Sequence, residues 1–168
     1  MSGRTKLAII GCGGHAGFHA QQVHANPVLL EVVALCDIKR ENLERFHREK
    51  FGADPKIRLY DSMDELLRHP PDGLQAVTIV TPHTTHFELC MAALEHGLDV
   101  LCEKPIALDA SEARQLQACA TRVRIAEAFM VRHHPQWKTA RALVNEGRLG
   151  EVRAIQTIFS YYLDDPRN

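Results

Sequence analysis

An α/β fold built on a doubly wound parallel sheet is predicted by three features of the sequence. Short apolar runs alternate with stretches of helical spacing from residue 6 to about residue 129, and that alternation implies a parallel sheet with right-handed crossovers. The first run, Leu7 to Ile10, is apolar throughout, as suits a strand buried on both faces. It passes directly into Gly11-x-Gly13-x-x-Ala16 and then a helical pattern. This strand, turn and helix give a glycine-rich turn its mechanical meaning as a dinucleotide cradle.

Each element follows in order. The first helix is expected over about Gly14 to Ala25, ended by Pro27, and Leu30 to Cys36 reads as the second strand. Leu43, Phe46, His47 and Phe51 fall at helical spacing before Gly52, which stops that helix. Ile57 to Tyr60 is a short strand, and Asp61-Ser62 caps a helix that ends at Pro70-Pro71. Ala76 to Val80 is a further buried strand, and Thr84 to His96 a helix with Gly97 at its end. A strand over Asp99 to Cys102, a helix capped by Asp109 and a strand from Arg124 to Phe129 complete the pattern.

The character then changes. Trp137, Ala140, Leu143 and Val144 make an amphipathic helix closed by Gly147, and Val152 to Leu163 alternates apolar with polar residues through Ile158. Alternation suits an antiparallel strand with one face covered. Residues 1–122 are therefore assigned to a dinucleotide-binding domain. Residues 123–168 are assigned to a connecting segment plus the first helix and strand of an incomplete α+β substrate domain. The chain is expected to be the N-terminal portion of a longer protein. The lone strand would present an edge carrying Ile155, Ile158, Phe159, Tyr161 and Tyr162, a surface that invites self-association.

Composition narrows the class of function. The 168 residues, 45% hydrophobic and 24% charged with a net charge of −1, describe an ordinary globular protein. Nothing in that balance points to nucleic acid or a membrane surface as partner. No apolar run is long enough to span a bilayer, and the N-terminus lacks the core of a secretion signal. The five cysteines contain no C-x-x-C pair and read as small buried hydrophobes in a reducing compartment, so a cytoplasmic location is expected. His15 with His19 and His83 with His86 are spaced as helical pairs, but no further ligand completes either, and no metal site is expected.

The site reading begins at the glycine turn. Gly11 permits the tight turn, Gly13 lets backbone approach a pyrophosphate, and the small Ala16 lets helix lie close on strand. The helix N-terminus adds unpaired N–H groups and a positive dipole end. Asp37 closes the second strand 21 residues after Ala16, where a carboxylate can accept from both hydroxyls of an adenosine ribose. The plainer alternative is a cap for the helix beginning near Lys39. An aspartate here favours NAD over NADP, while Lys39 and Arg40 just beyond it could welcome a 2′-phosphate.

Three stretches carry a family resemblance: Val80-Thr-Pro-His-Thr-Thr-His86, Val100-Leu-Cys-Glu-Lys-Pro105, and Glu127-Ala-Phe-Met-Val-Arg-His-His-Pro135. With the turn of Gly11, Gly13, Gly14, His15 and Ala16, they resemble the Gfo/Idh/MocA family of NAD(P)-dependent oxidoreductases with a Rossmann domain. Glu127-Ala-Phe-Met and the ending Phe159-Ser-Tyr-Tyr are more similar to its glucose–fructose oxidoreductase and dihydrodiol dehydrogenase branch than to its inositol branch. The resemblance implies a hydride transfer between a nicotinamide cofactor, NAD or else NADP, and a sugar, polyol or related carbinol.

It further implies that Lys104 is the catalytic lysine beside the nicotinamide, where an ammonium can stabilise negative charge on the substrate oxygen. Glu103 would contact cofactor or position that lysine, and a cis bond before Pro105 is usual in the family. Thr81 and Pro82 match a cofactor-lining turn, with His83 standing where most members have asparagine. His86 matches a histidine at the head of the next helix, either buried against the cofactor loop or acting directly. Arg132 matches an arginine near the substrate cleft that binds substrate, cofactor phosphate or a carboxylate. The family's presumed acid–base histidine lies on a helix of the second domain, so the 168-residue chain is expected to be inactive alone, and the full-length form to be a homo-oligomer. Two alternatives stay open: a non-catalytic NAD(P)-binding module, and an NAD-dependent glycosidase of the same family.

Overall fold

A computed structural model describes residues 3–160 and residue 162. It divides into two compact units, Met1–Phe129 and Met130–Asn168. In the first unit, six strands form one sheet: β1 (Thr5–Ile10), β2 (Leu30–Cys36), β3 (Arg58–Tyr60), β4 (Ala76–Ile79), β5 (Asp99–Cys102) and β6 (Ile125–Glu127). Every pairing is parallel, and the order across the sheet is β3-β2-β1-β4-β5-β6. This is the doubly wound Rossmann order, in which the chain reverses direction across the sheet between β1 and β4.

The helices between the strands are α1 (Ala16–Ala25), α2 (Arg40–Phe51), α3 (Met63–Arg68), α4 (His86–Glu95) and α5 (Ala110–Cys119). Successive residues of a strand point to opposite faces, and the core divides accordingly. Ala8, Ile10, Ala34 and Cys36 pack with Met63, Leu66, Cys90, Leu94 and Leu116, so α3, α4 and α5 cover one face. Leu7, Ile9 and Leu35 face the other way and pack with Ala16, Ala20, Leu43 and Phe46 of α1 and α2. Each large apolar side chain buried in this way contributes about 1.5–3 kcal/mol. The caps are the ones the sequence suggests: Ser62 Oγ accepts from Glu65 N–H, and the Asp109 carboxylate from Ser111 and Glu112 N–H.

The sheet includes β6, so the first unit runs to Phe129, past the boundary at residue 122 drawn from the sequence. In the second unit, α6 (Pro135–Asn145) carries the proposed amphipathic stretch, with the His134 side chain capping Gln136 N–H. The strand expected over Val152 to Leu163 is not formed: residues 152–160 have no strand structure. Tyr161 and Leu163 fall outside the described residues. Alternation of apolar and polar residues says which face needs cover, but a strand also needs a neighbour for its N–H and C=O groups, and no described strand pairs with this one.

Candidate functional site

Two clefts open at the carboxyl ends of the central strands, where open α/β sheets bind ligands. The first, about 400 Å³, runs from Gly11 and Gly13 past Asp37, Ile38 and Lys39 to Met63, Thr85 and Leu89. The second, about 410 Å³, is lined by Gly13, Gly14, His15, His83, Glu103 and Lys104. They share Gly13 and the Val80–Pro82 turn, so they meet where the direction of the sheet reverses. A dinucleotide is a two-part ligand, and its pyrophosphate would fall at this junction.

The turn between β1 and α1 is shaped for close approach. Gly11 has φ +92°, and a Cβ there would lie 2.8 Å from the Val80 carbonyl oxygen, so no other residue fits without strain. At Gly13 and Gly14 an added Cβ would meet nothing within 4 Å; the space over this backbone is open. Helix α1 has no side-chain cap and no acidic residue in its first turn, which leaves its positive end to an anion. These donors suit a pyrophosphate.

Asp37 is fixed by backbone. Its Oδ2 accepts from Cys12 N–H at 2.7 Å and its Oδ1 from Lys39 N–H at 2.8 Å. Of the two readings left open, the capping one is not adopted: Lys39 is the N-cap residue of α2 and makes no side-chain cap. Each carboxylate oxygen has a further acceptor position, and Asp37 lines the first cleft. Arg40 turns elsewhere, pairing with Glu44 at 2.8 Å and Asp61 at 3.1 Å, while Lys39 lines the cleft. Burial, reinforced by the nearby Asp37 charge, pushes the Cys12 and Cys36 thiols up to about 12.

Around the second cleft the supports come from distant side chains. Glu103 Oε1 lies 3.0 Å from Nε2 of His19, which projects from α1, and His19 Nδ1 lies 3.1 Å from Thr78 Oγ1. Glu103 Oε2 accepts from Lys104 N–H at 3.1 Å. Burial pushes the Glu103 carboxyl up, but these bonds and the His19 and His15 rings outweigh it and hold the group below the usual carboxylate range. His86 has no exposed surface. Its ring nitrogens lie 2.7 Å from the Pro105 carbonyl oxygen and 2.9 Å from that of Thr81. Both carbonyls only accept, so a neutral ring makes one of these bonds and a doubly protonated ring makes both. Glu127 Oε1 accepts from Ile106 N–H at 3.0 Å, and the Lys104–Pro105 bond is cis.

The structure thus gathers Gly11, Gly13, Gly14, His15, Asp37, Thr81, Pro82, His83, Glu103 and Lys104 along one pair of clefts. Ala16 lies fully buried beneath the turn, and His86 sits behind the turn instead of lining it. Arg132 is exposed and belongs to the second unit. His19, Thr78 and Glu127 were absent from the expected site. His19 stands on the helix face that buries Ala16 and Ala20, and a polar residue on an apolar face needs a partner; that was the signal available. Among the described residues no group of three or more His, Cys, Asp or Glu could hold a metal, and no helix is long and apolar enough to cross a membrane.

The Gfo/Idh/MocA family model, described as an oxidoreductase family with an NAD-binding Rossmann fold, matches residues 5–133. An uncharacterized oxidoreductase of Rhizobium meliloti, ORF334, is 42% identical over 143 residues, covering 83% of this chain and 40% of that protein. An inositol 2-dehydrogenase of Rubrobacter xylanophilus is 30% identical over 152 residues, covering 89% of this chain and 42% of that protein. Among solved structures, KijD10, a 3-ketoreductase from Actinomadura kijaniata in complex with NADP and TDP-benzene, superposes with a TM-score of 0.77. It is 29% identical, and the match covers 89% of this chain and 45% of that one. The chain spans less than half the length of these relatives.

Proposed function

Because this chain belongs to the Gfo/Idh/MocA family of oxidoreductases and has its NAD-binding Rossmann fold, we propose that its paired clefts are the cofactor site of a dehydrogenase or reductase acting on a sugar, polyol or related carbinol. The observation that carries this reading is the junction at Gly13 and Val80–Pro82, with Asp37 lining the cleft on one side of it and Lys104 the cleft on the other. The Gly11–Ala16 turn would hold the pyrophosphate and the Asp37 carboxylate the adenosine ribose. Thr81, Pro82 and His83 would line the nicotinamide end. The bound nicotinamide supplies hydride transfer. Lys104 would hydrogen-bond the substrate oxygen and stabilise charge on it as the carbonyl and carbinol interconvert. Proton transfer to and from that oxygen needs a further acid–base group, which the resemblance assigns to the second domain.

NAD is favoured over NADP. The Asp37 carboxylate, fixed at the rim of the first cleft, would bond a free ribose diol and repel a 2′-phosphate. Arg40 is neutralised by Glu44 and Asp61, which leaves Lys39 as the cation at that rim. A cytoplasmic location is in keeping with five free cysteines, four of them buried, and a homo-oligomer of the whole protein with its family. Titration calorimetry of the chain with NAD⁺ and NADP⁺ tests the reading: one site is expected, tighter for NAD⁺. A folded sample that gives no heat and no thermal shift with either would refute it.

A further inference from the structure

We infer that His19 and His86 are positioning residues for Lys104, gripping the residues on either side of it from two different helices; this rests on the reading of the second cleft as the nicotinamide end. Lys104 is exposed and lines that cleft on a long, flexible side chain, so the place of its ammonium is set first by where its backbone sits. Before it, both oxygens of Glu103 are engaged, one by His19 of α1 at 3.0 Å and one by the Lys104 N–H itself at 3.1 Å. After it, the Pro105 carbonyl oxygen meets the ring of His86 at the head of α4, 2.7 Å away. The same ring lies 2.9 Å from the Thr81 carbonyl oxygen, so it stands between the two loops that form the walls of the cleft. Beyond Pro105, Glu127 takes the Ile106 N–H at 3.0 Å.

Packing alone would not call for these side chains. Placing an imidazole and a carboxylate where only 13% and 14% of their side-chain surface is exposed costs solvation that an apolar pair would not lose. What the polar groups return is a direction: His19, His86 and Glu127 each place a contact on residues 103–106, and a group that must stabilise developing charge has to be held in place beforehand. His19 also starts from the helix whose first turn faces the pyrophosphate, so the phosphate cradle and the lysine share one rigid support.

Two ligands separate this role from a general structural one. ADP-ribose has the adenosine, both phosphates and a ribose but no nicotinamide; NADH has all of them. Wild type, His19→Ala, Glu103→Ala, the double variant and His86→Gln are titrated with each ligand. NADH affinity is expected to fall about tenfold in each single variant, the worth of one hydrogen bond that a displaced Lys104 no longer makes beside the nicotinamide, with ADP-ribose affinity held within about threefold. The double variant should be no weaker than the weaker single, because His19 acts through Glu103. Unchanged NADH affinity, equal losses for both ligands or additive losses in the double variant would overturn the inference while leaving the cofactor site standing. A folded wild type that binds neither ligand would overturn the functional reading and this inference with it. The His19 and Glu103 variants, at side chains that keep some exposed surface, decide the matter even if His86→Gln does not fold.

Discussion

In the first cleft Asp37 takes its two bonds from backbone N–H groups, those of Cys12 and Lys39, whereas in the second Glu103 takes one of its two from His19, 84 residues away. The first arrangement follows from the path of the chain: once β1, the glycine turn and β2 are in place, the donors are where they must be. The second exists only if α1 and α4 dock correctly and present the right side chains. The proposed phosphate and ribose end of the site is thus secured by the fold itself, and the proposed reactive end by particular residues, which suits a scaffold whose chemistry varies by substitution around a constant cradle.

The sharpest way to break the first arrangement is Gly11→Ala. The added Cβ would meet the Val80 carbonyl oxygen in a left-handed backbone, and a loss of about 3 kcal/mol is expected in urea unfolding. Gly13→Ala, in open space, should leave stability within about 0.5 kcal/mol yet weaken NAD⁺ binding. If both variants were equally stable, the turn would be looser than described.

Asp37→Ala removes the ribose acceptor. NAD⁺ affinity should fall roughly tenfold to a hundredfold, for one or two lost bonds, and the preference over NADP⁺ should relax. A variant that kept a strong preference for NAD⁺ in calorimetry would place the discrimination elsewhere.

These local features were legible in the sequence because each is a matter of spacing. The apolar run, the three small turn residues and an acid one strand later all lie within Lys6–Asp37, and the bounds of β2 and β5 follow from their apolar runs. The lysine of the second cleft was legible only through resemblance. Of its supports, Glu103 and His86 were named only through that resemblance and His19 was weighed only as half of a metal pair, because no periodicity links His19 to Glu103 or His86 to Pro105. The strand expected at Val152 shows the converse limit. Its alternation is visible in the sequence, but the pairing that would make it a strand is not a property of that segment.

Protonation sharpens the contrast at the second cleft. Glu103 sits below its ordinary value of 4.5 in the fold because the bonds from His19 and Lys104 N–H outweigh burial. A carboxyl with a depressed folded value adds stability that is present above its unfolded value and lost as pH falls through the folded one. The stability gap between wild type and Glu103→Gln should therefore be full at about pH 7 and close in acid, below the ordinary carboxylate range. Urea midpoints across that range would show it, and a gap independent of pH would mean the carboxylate is not held as described.

The smallest effect is expected at Arg40. It is an exposed residue paired with Glu44 and Asp61, so Arg40→Ala should leave stability nearly unchanged. NADP⁺ affinity should not change. A clear fall in NADP⁺ binding would show that this guanidinium swings to the ribose after all.

The claim that the two clefts form one site is tested most directly by competition between NADH and ADP-ribose on the intact chain. One NADH should bind per chain, with the change in nicotinamide fluorescence reversed fully by ADP-ribose along a single competitive curve. Fluorescence that survives saturating ADP-ribose, or both ligands bound at once, would mean that the clefts are separate sites and that the account of a shared junction at Gly13 and Val80–Pro82 is wrong.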